Sequence, residues 1–346
     1  MAGPADVAKT GRERRAFWVG HRPWYRRPNP TPPDGPDPYG EPDPEWLRID
    51  WRKHLRRVEV GTPGLEPHPG SPIDPTRTTV NYAELGDGPP LVLVHGLGGS
   101  WQNWLENIPQ LARSHRVIAL DLPGFGASPM PGWEISIQTY GALVSAFCEA
   151  LSTGPVPLVG NSMGGFVSAE VTVSQPQIVR KLALVSAAGI SHARMYRAPA
   201  ETAARMARAA APFAMRRYDR ALRRPRLRRR MIGHIVHRPE LMRREMLWEL
   251  IRYGLDPPGL VAALRGLAGY DFLDRLPDVE TPTLIVWGRN DLVVPVSDAL
   301  EYARLIRGSQ LEIFDGCGHL PMAERPVRFN RLLDRFLAGS DTADTD

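Results

Sequence analysis

Apolar residues in this chain fall in short blocks separated by glycine, proline and polar turns. Leu91 to Val94, Val156 to Val159, Leu182 to Ser186, Thr283 to Gly288 and Leu311 to Phe314 are mostly apolar runs of strand length. Runs this short, closed off by turn residues, predict strands buried inside a sheet. Thr78 to Leu85 alternates as a half-buried strand should, and Trp51 to Val60 reads as the opening strand before it. Phe166 to Val173, directly after one of the glycine-rich turns, predicts a helix.

The beginning of the chain has no such pattern. Residues 28 to 44 place a proline at nearly every second position, which removes backbone donors and restricts each preceding residue, so neither helix nor central strand can form there. An extended, polyproline-like arm over 1–49 is expected. Upstream of the prolines, Phe17-Trp18 and Trp24-Tyr25-Arg26-Arg27 mix aromatics with arginine. These residues would either anchor the arm on its own domain or lie at a membrane interface.

The turn after Val159 carries the first candidate chemistry. Gly160-Asn161-Ser162-Met163-Gly164 places a serine between two glycines, at the junction of a predicted strand and a predicted helix. A Gly-x-Ser-x-Gly turn holds its serine at strained backbone angles and pushes the hydroxyl into a cleft. Serine is a poor nucleophile at its own pKa, so it needs a base to take its proton and an acid to orient that base. Asp291 stands just past the Thr283 to Gly288 strand, and His319 just past the Leu311 to Phe314 strand. The carboxyl ends of strands are where open α/β sheets build their sites. An oxyanion hole is expected from two backbone N–H groups, Leu97 in the loop His95-Gly96-Leu97-Gly98 and Met163 after the nucleophile. His95 and Asp121 read as structural residues of their loops.

Five segments, in this order, resemble the α/β-hydrolase superfamily: His95 to Gly98, Asp121 to Ser128, Gly160 to Gly165, Trp287 to Asp291, and Gly318-His319. The resemblance covers most of residues 78 to 338. It implies an α/β-hydrolase fold, with a mostly parallel, eight-stranded type of sheet flanked by helices and a helical cap inserted between strands 6 and 7. The implied parse is hydrolase core over 50–189 and 271–338, cap over 190–270, and a disordered tail over 339–346. It also implies a Ser162-His319-Asp291 catalytic triad, with Trp101 and Leu320 as candidate substrate-binding residues.

Charge singles out the cap. Residues 190 to 256 hold seventeen arginines against six acidic residues, an excess of eleven in a chain whose net charge is +5, so the remainder is net negative. Three destinations are open for this positive field. They are a solvated helix face, an anionic membrane surface reached through the cap or the arm, and nucleic acid, which is disfavoured because aromatics are sparse among the arginines. The chain has only Cys148 and Cys317, too few for a disulfide framework or a zinc cluster. No phosphate loop, dinucleotide fingerprint or metal-ligand spacing appears, so neither cofactor nor metal is expected. No apolar run is long enough to cross a bilayer, and Met1 to Arg15 lacks the apolar stretch of a secretory signal, so a cytoplasmic protein is expected.

Together these readings predict a serine hydrolase of the esterase or lipase type acting on a carboxylic ester, with an apolar or lipid-like acyl group. A serine at the elbow, in place of aspartate, argues against the dehalogenase and epoxide hydrolase branches. The Gly-Asn-Ser-Met-Gly-Gly form also resembles C–C bond hydrolases that cleave ring-fission products. The oxyanion loop Gly96-Leu97-Gly98-Gly99 and Leu320 after His319 depart from their pattern, which makes that activity the alternative. Outside enzymology, the rival is a catalytically silent hydrolase-fold protein that binds through its basic cap.

Overall fold

A computed structural model of the chain describes residues 44–62, 64–191, 222–254, 257–268 and 270–339. Residues 1–43 of the expected arm, the basic stretch around 203–210 and residues 340–346 of the expected tail lie outside the described residues.

Eight strands form one sheet: β1 (Leu55–Gly61), β2 (Arg77–Leu85), β3 (Pro90–Val94), β4 (Arg116–Leu120), β5 (Val156–Asn161), β6 (Val179–Val185), β7 (Thr283–Gly288) and β8 (Gln310–Phe314). Their order across the sheet is β1-β2-β4-β3-β5-β6-β7-β8. Both contacts of β2, with β1 and with β4, are antiparallel, and every later pairing is parallel. The helices are α1 (Ile108–Leu111), α2 (Ile137–Ala150), α3 (Met163–Ser174), α4 (Pro225–Ile232), α5 (Arg244–Gly254), α6 (Leu260–Leu267), α7 (Val296–Leu305), α8 (Pro321–Glu324) and α9 (Pro326–Ala338).

Successive residues of a strand point to opposite faces, so each central strand feeds two cores. Val92, Ile118, Leu158, Leu182 and Ile285 join one cluster with α2, α3 and α7 residues such as Tyr140, Phe166 and Tyr302. Leu91, Val117, Val159, Ala183 and Leu284 join the other, with Trp104, Phe329 and Leu333. This double burial is why the strands appear as unbroken apolar runs rather than as alternations.

Three details depart from the sequence reading. Trp51–Lys53 is a turn of 3-10 helix, not strand, and β1 begins at Leu55. The Trp51 indole donates to Trp46 O at 3.0 Å, and both rings are buried, so the core reaches upstream of residue 50. The second departure is in β2, where Val80 to Ala83 are all buried: Val80 and Tyr82 join one core, Ala83 joins the other, and Asn81 donates to the buried Asp121, so the expected alternation gives way. The third is β4, which was not singled out, although its residues 117–120 are fully buried.

Between β6 and β7 the described residues form α4, α5 and α6. Helix α5 buries Met246, Leu247 and Ile251 with the second core, whereas Ala263 and Leu267 of α6 pack into the first. Gly259 N donates to Gly124 O at 2.9 Å and ties α6 to the loop after β4. Arg243 and Glu106 form an ion pair at 3.1 Å with both side chains about 5% exposed or less. The arginine excess is therefore not all surface: Arg228 is also buried, donating to Leu222 O and Met242 O. No helix among the described residues is long and apolar enough to cross a membrane.

Candidate active site

The parallel register brings the candidate residues to one edge of the sheet. Asn161 at the end of β5 is level with Val185 of β6, which is level with Val286 of β7, and Gly288 of β7 is level with Phe314 of β8. Ser162, Asp291 and His319 all lie just beyond these ends, and Leu97 lies three residues past the end of β3.

Ser162 is the junction between β5 and α3, with φ 55° and ψ −121°. A non-glycine residue held in this region is strained, and the surroundings must impose it. Here its N–H donates to Val185 O at 3.0 Å while its C=O accepts from Phe166 N and Ala188 N. The flanking glycines are required by contact. A Cβ on Gly160 would collide with the Gly164 carbonyl, and one on Gly164 would collide with the carbonyls of Val94 and His95. Gly96 lies against Ser162 as well, since a Cβ there would come 2.9 Å from Ser162 Cβ.

The imidazole of His319 is 2.8 Å from Asp291, through Nδ1 and Oδ2. Asp291 turns its other oxygen to the N–H groups of Val293 and Val294 at 2.8 and 2.9 Å. Both of its oxygens are thus committed, which fixes the carboxylate and selects the Nδ1–H tautomer of His319, leaving Nε2 as the basic nitrogen. His319 and Asp291 are buried, whereas Ser162 is only partly so. Asn161, next to the serine, donates from Nδ2 to Val185 O and to His319 O at 3.0 and 3.3 Å, linking the elbow to the histidine loop. Among the described residues no hydrogen bond joins the Ser162 hydroxyl to the imidazole, a contact that in such sites often tightens only on substrate binding.

Met163 is the first residue of α3, so its N–H has no helical acceptor. Among the described residues neither it nor the Leu97 N–H donates to another protein group. Leu320 follows His319 and is buried. Trp101 goes elsewhere: its ring packs 4.9 Å, centroid to centroid, from that of Trp51, and it is a core residue.

His95 and Asp121 hold the neighbouring loops together. Burial pushes the His95 imidazole down to about 4 and keeps it neutral, with Nδ1 at 2.7 Å from Gly96 O and Nε2 accepting from Leu122 N at 3.0 Å. Asp121 accepts from Asn81 Nδ2, Trp101 N and Ala127 N, each at 2.8 Å, and burial raises its carboxyl to about 6 against those donors. Cys317, two residues before His319, is a buried thiol raised far above the usual range by desolvation. Among the described residues no group of three or more histidines, cysteines and acids could hold a metal ion. Sequence reading missed Asn161 and Glu324 as partners of the histidine loop, because their roles arise only from contacts between distant segments.

The family model for the alpha/beta hydrolase fold matches residues 89–326, about two thirds of the chain. A 2-hydroxy-6-oxo-2,4-heptadienoate hydrolase of Pseudomonas putida is 33% identical over 275 residues, covering 75% of this chain and 93% of that protein. Among solved structures, an esterase from Thermogutta terrifontis superposes with a TM-score of 0.64 at 26% identity, over 83% of this chain and all of that one. A membrane phospholipase A, described as a bacterial virulence factor, does so with a TM-score of 0.61 at 26% identity, over 84% and 88% of the two chains. With the serine elbow, the sheet order and the family match all in agreement, this chain belongs to the α/β-hydrolase fold family and is an enzyme of the hydrolase type.

Proposed function

We propose that this hydrolase cleaves a carboxylic ester with an apolar or lipid-like acyl group, through an acyl-enzyme formed on Ser162. The observation that carries the reading is the buried His319–Asp291 hydrogen bond at 2.8 Å, at the same sheet edge as a serine in a strained strand-to-helix turn. In the first half-reaction Ser162 Oγ attacks the ester carbonyl carbon while His319 Nε2 takes its proton. Asp291 keeps the Nδ1–H directed and stabilises the imidazolium that results. The oxyanion is received by the N–H groups of Leu97 and Met163. Collapse breaks the C–O bond, and His319 returns the proton to the departing alkoxide. Water then attacks the acyl-enzyme with His319 again as base, releasing the carboxylic acid and regenerating the serine. The similarity to an esterase and a phospholipase supports an apolar acyl group.

A second reading is favoured by one observation, the 33% identity to a hydrolase of a ring-fission dienoate. The same triad would then cleave a C–C bond next to a ketone. Steady-state kinetics on a chain-length series of p-nitrophenyl esters, beside a ring-fission dienoate, separate the two. Higher kcat/KM on the esters, rising with acyl length, supports ester hydrolysis; turnover of the dienoate with only residual esterase activity overturns it.

A further inference from the structure

Glu324 is the last residue of α8, five positions after His319, and it has no exposed surface. Its Oε2 accepts the N–H of Gly318 at 3.0 Å and that of His237 at 2.8 Å, and its Oε1 accepts the N–H of Leu320 at 3.1 Å. Both chain neighbours of His319 therefore hang from one carboxylate. The N–H of His319 itself donates to Ile235 O at 2.8 Å. Ile235 and His237 belong to the segment between β6 and β7, just after α4, so the same short stretch of the cap touches the histidine backbone and the carboxylate that holds it.

The junction has no spare room. A Cβ placed on Gly318 would come 2.7 Å from His237 N, 2.8 Å from Ile235 O and 3.0 Å from Glu324 Oε1. Burial raises the Glu324 carboxyl, while the three N–H donors and Arg325 oppose that rise and favour the ionised form that all three donors require. A buried carboxylate committed to three backbone donors is a costly feature to retain, because each donor left without an acceptor is penalised. The triad chemistry itself does not use it.

We propose that Glu324 is a positioning residue for His319, holding the imidazole in place through the Gly318 and Leu320 N–H groups, and that by sharing Oε2 with His237 it makes that placement depend on the cap. This rests on His319 being the base of the proposed reaction. The distance from Nε2 to the serine oxygen must be met within a fraction of an ångström, and a misplacement of about 1 Å costs on the order of a hundredfold in rate. A carboxylate that sets the backbone on both sides of the base has that leverage without touching substrate.

Two variants test it in the full chain. Glu324→Gln keeps shape and volume but replaces one accepting oxygen by an NH2 group, so that at least one of the three N–H donors faces a donor. Gly318→Ala drives a methyl group into the junction and leaves the carboxylate in place. In each variant that melts cooperatively, kcat on a p-nitrophenyl ester is expected to fall roughly 10- to 100-fold with KM within about threefold of wild type. A carboxylate with a merely structural role would lower the melting temperature and leave kcat per folded molecule unchanged, and that result in either variant overturns the proposal. If Glu324→Gln does not fold, Glu324→Asp, which keeps the charge but shortens the reach to the three donors, is read in its place by the same criteria. Mapping a fluorophosphonate adduct on wild-type protein distinguishes the two ways of failing. Label absent from Ser162 removes the triad reading, whereas label at Ser162 with wild-type kcat in folded variants removes only the role of Glu324.

Discussion

His319 and Asp291 are joined by a hydrogen bond of 2.8 Å, and the carboxylate is held from behind by the N–H groups of Val293 and Val294. Its position is therefore set by backbone and does not depend on the imidazole. Asp291→Asn should preserve the loop while losing the charge and allowing the wrong tautomer of His319. The expected result is a fall in kcat of about a thousandfold or more, the scale known for amidation of a triad acid, with little change in KM. Ester hydrolysis by a folded Asp291→Asn variant within tenfold of wild type would show that this carboxylate does not orient the base.

The elbow makes a prediction about stability. A methyl group on Gly164 has no space between the carbonyls of Val94 and His95. Gly164→Ala should cost about 1–3 kcal/mol or more from overpacking, read as a lower urea midpoint with unchanged m-value. An unchanged midpoint would mean that β3 and α3 can separate without cost.

The pH dependence of stability follows from His95. Its folded pKa, about 4, lies below the ordinary value of 6.5, so between these the unfolded chain binds a proton that the native chain refuses. This contribution is complete above about pH 6.5 and is lost as pH falls toward 4, amounting to roughly 3 kcal/mol for a shift of this size. Asp121 acts in the opposite sense over nearly the same range, because its raised carboxyl holds its proton in the native state up to about pH 6. The difference between wild type and His95→Gln isolates the histidine. The variant should lose less stability than wild type between pH 6.5 and 4.5 by chemical denaturation, and equal losses would contradict the buried neutral imidazole.

Arginines between β6 and β7 fall into two energetic classes. Arg243, paired with Glu106 in the interior, should cost about 3–5 kcal/mol when replaced by alanine, because a charge is left buried. Arg238, half exposed and 3.6 Å from Glu240, should cost about 0–1 kcal/mol. Equal costs at the two positions, measured by urea denaturation, would refute the distinction.

The surface arginines carry the proposal of peripheral membrane contact. Arg226, Arg229 and Arg230 are exposed on α4 beside Leu227, itself 37% exposed. Cosedimentation should show binding to vesicles containing anionic lipid, weaker binding to neutral vesicles, and loss of the difference when salt is raised from 0.05 to about 0.5 M, where the Debye length is only a few ångströms. Equal binding to both vesicle types would favour a merely solvated basic face.

How much of this was legible in the sequence depended on locality. β3, β5 and β7 announce themselves as apolar runs because both of their faces are buried, whereas β8 at the end of the sheet is only half-buried, and the serine, acid and histidine stand within five residues of strand ends. Trp51 looked like strand because an aromatic before Leu55 fits either state; in the fold the chain turns there through backbone bonds from Lys53 N to Asp50 O and His54 N to Trp51 O, while the Trp51 indole bonds back to Trp46 O. The arginine count places the positive charge between β6 and β7. It could not separate Arg228 and Arg243, which are buried, from their exposed neighbours, since burial depends on which helix face meets the core. Glu324 was invisible for the same reason: its partners at 237, 318 and 320 meet only after β7, β8 and the segment following α4 have assembled.

The central claim, that Ser162 is the nucleophile of a hydrolytic triad, is tested most directly by treating folded protein with a fluorophosphonate and locating the adduct by peptide mass spectrometry. A single adduct on Ser162, formed in parallel with loss of ester hydrolysis and absent from His319→Ala, is the predicted result. Ester hydrolysis that survives with Ser162 unlabelled, or an adduct on another residue, would contradict it.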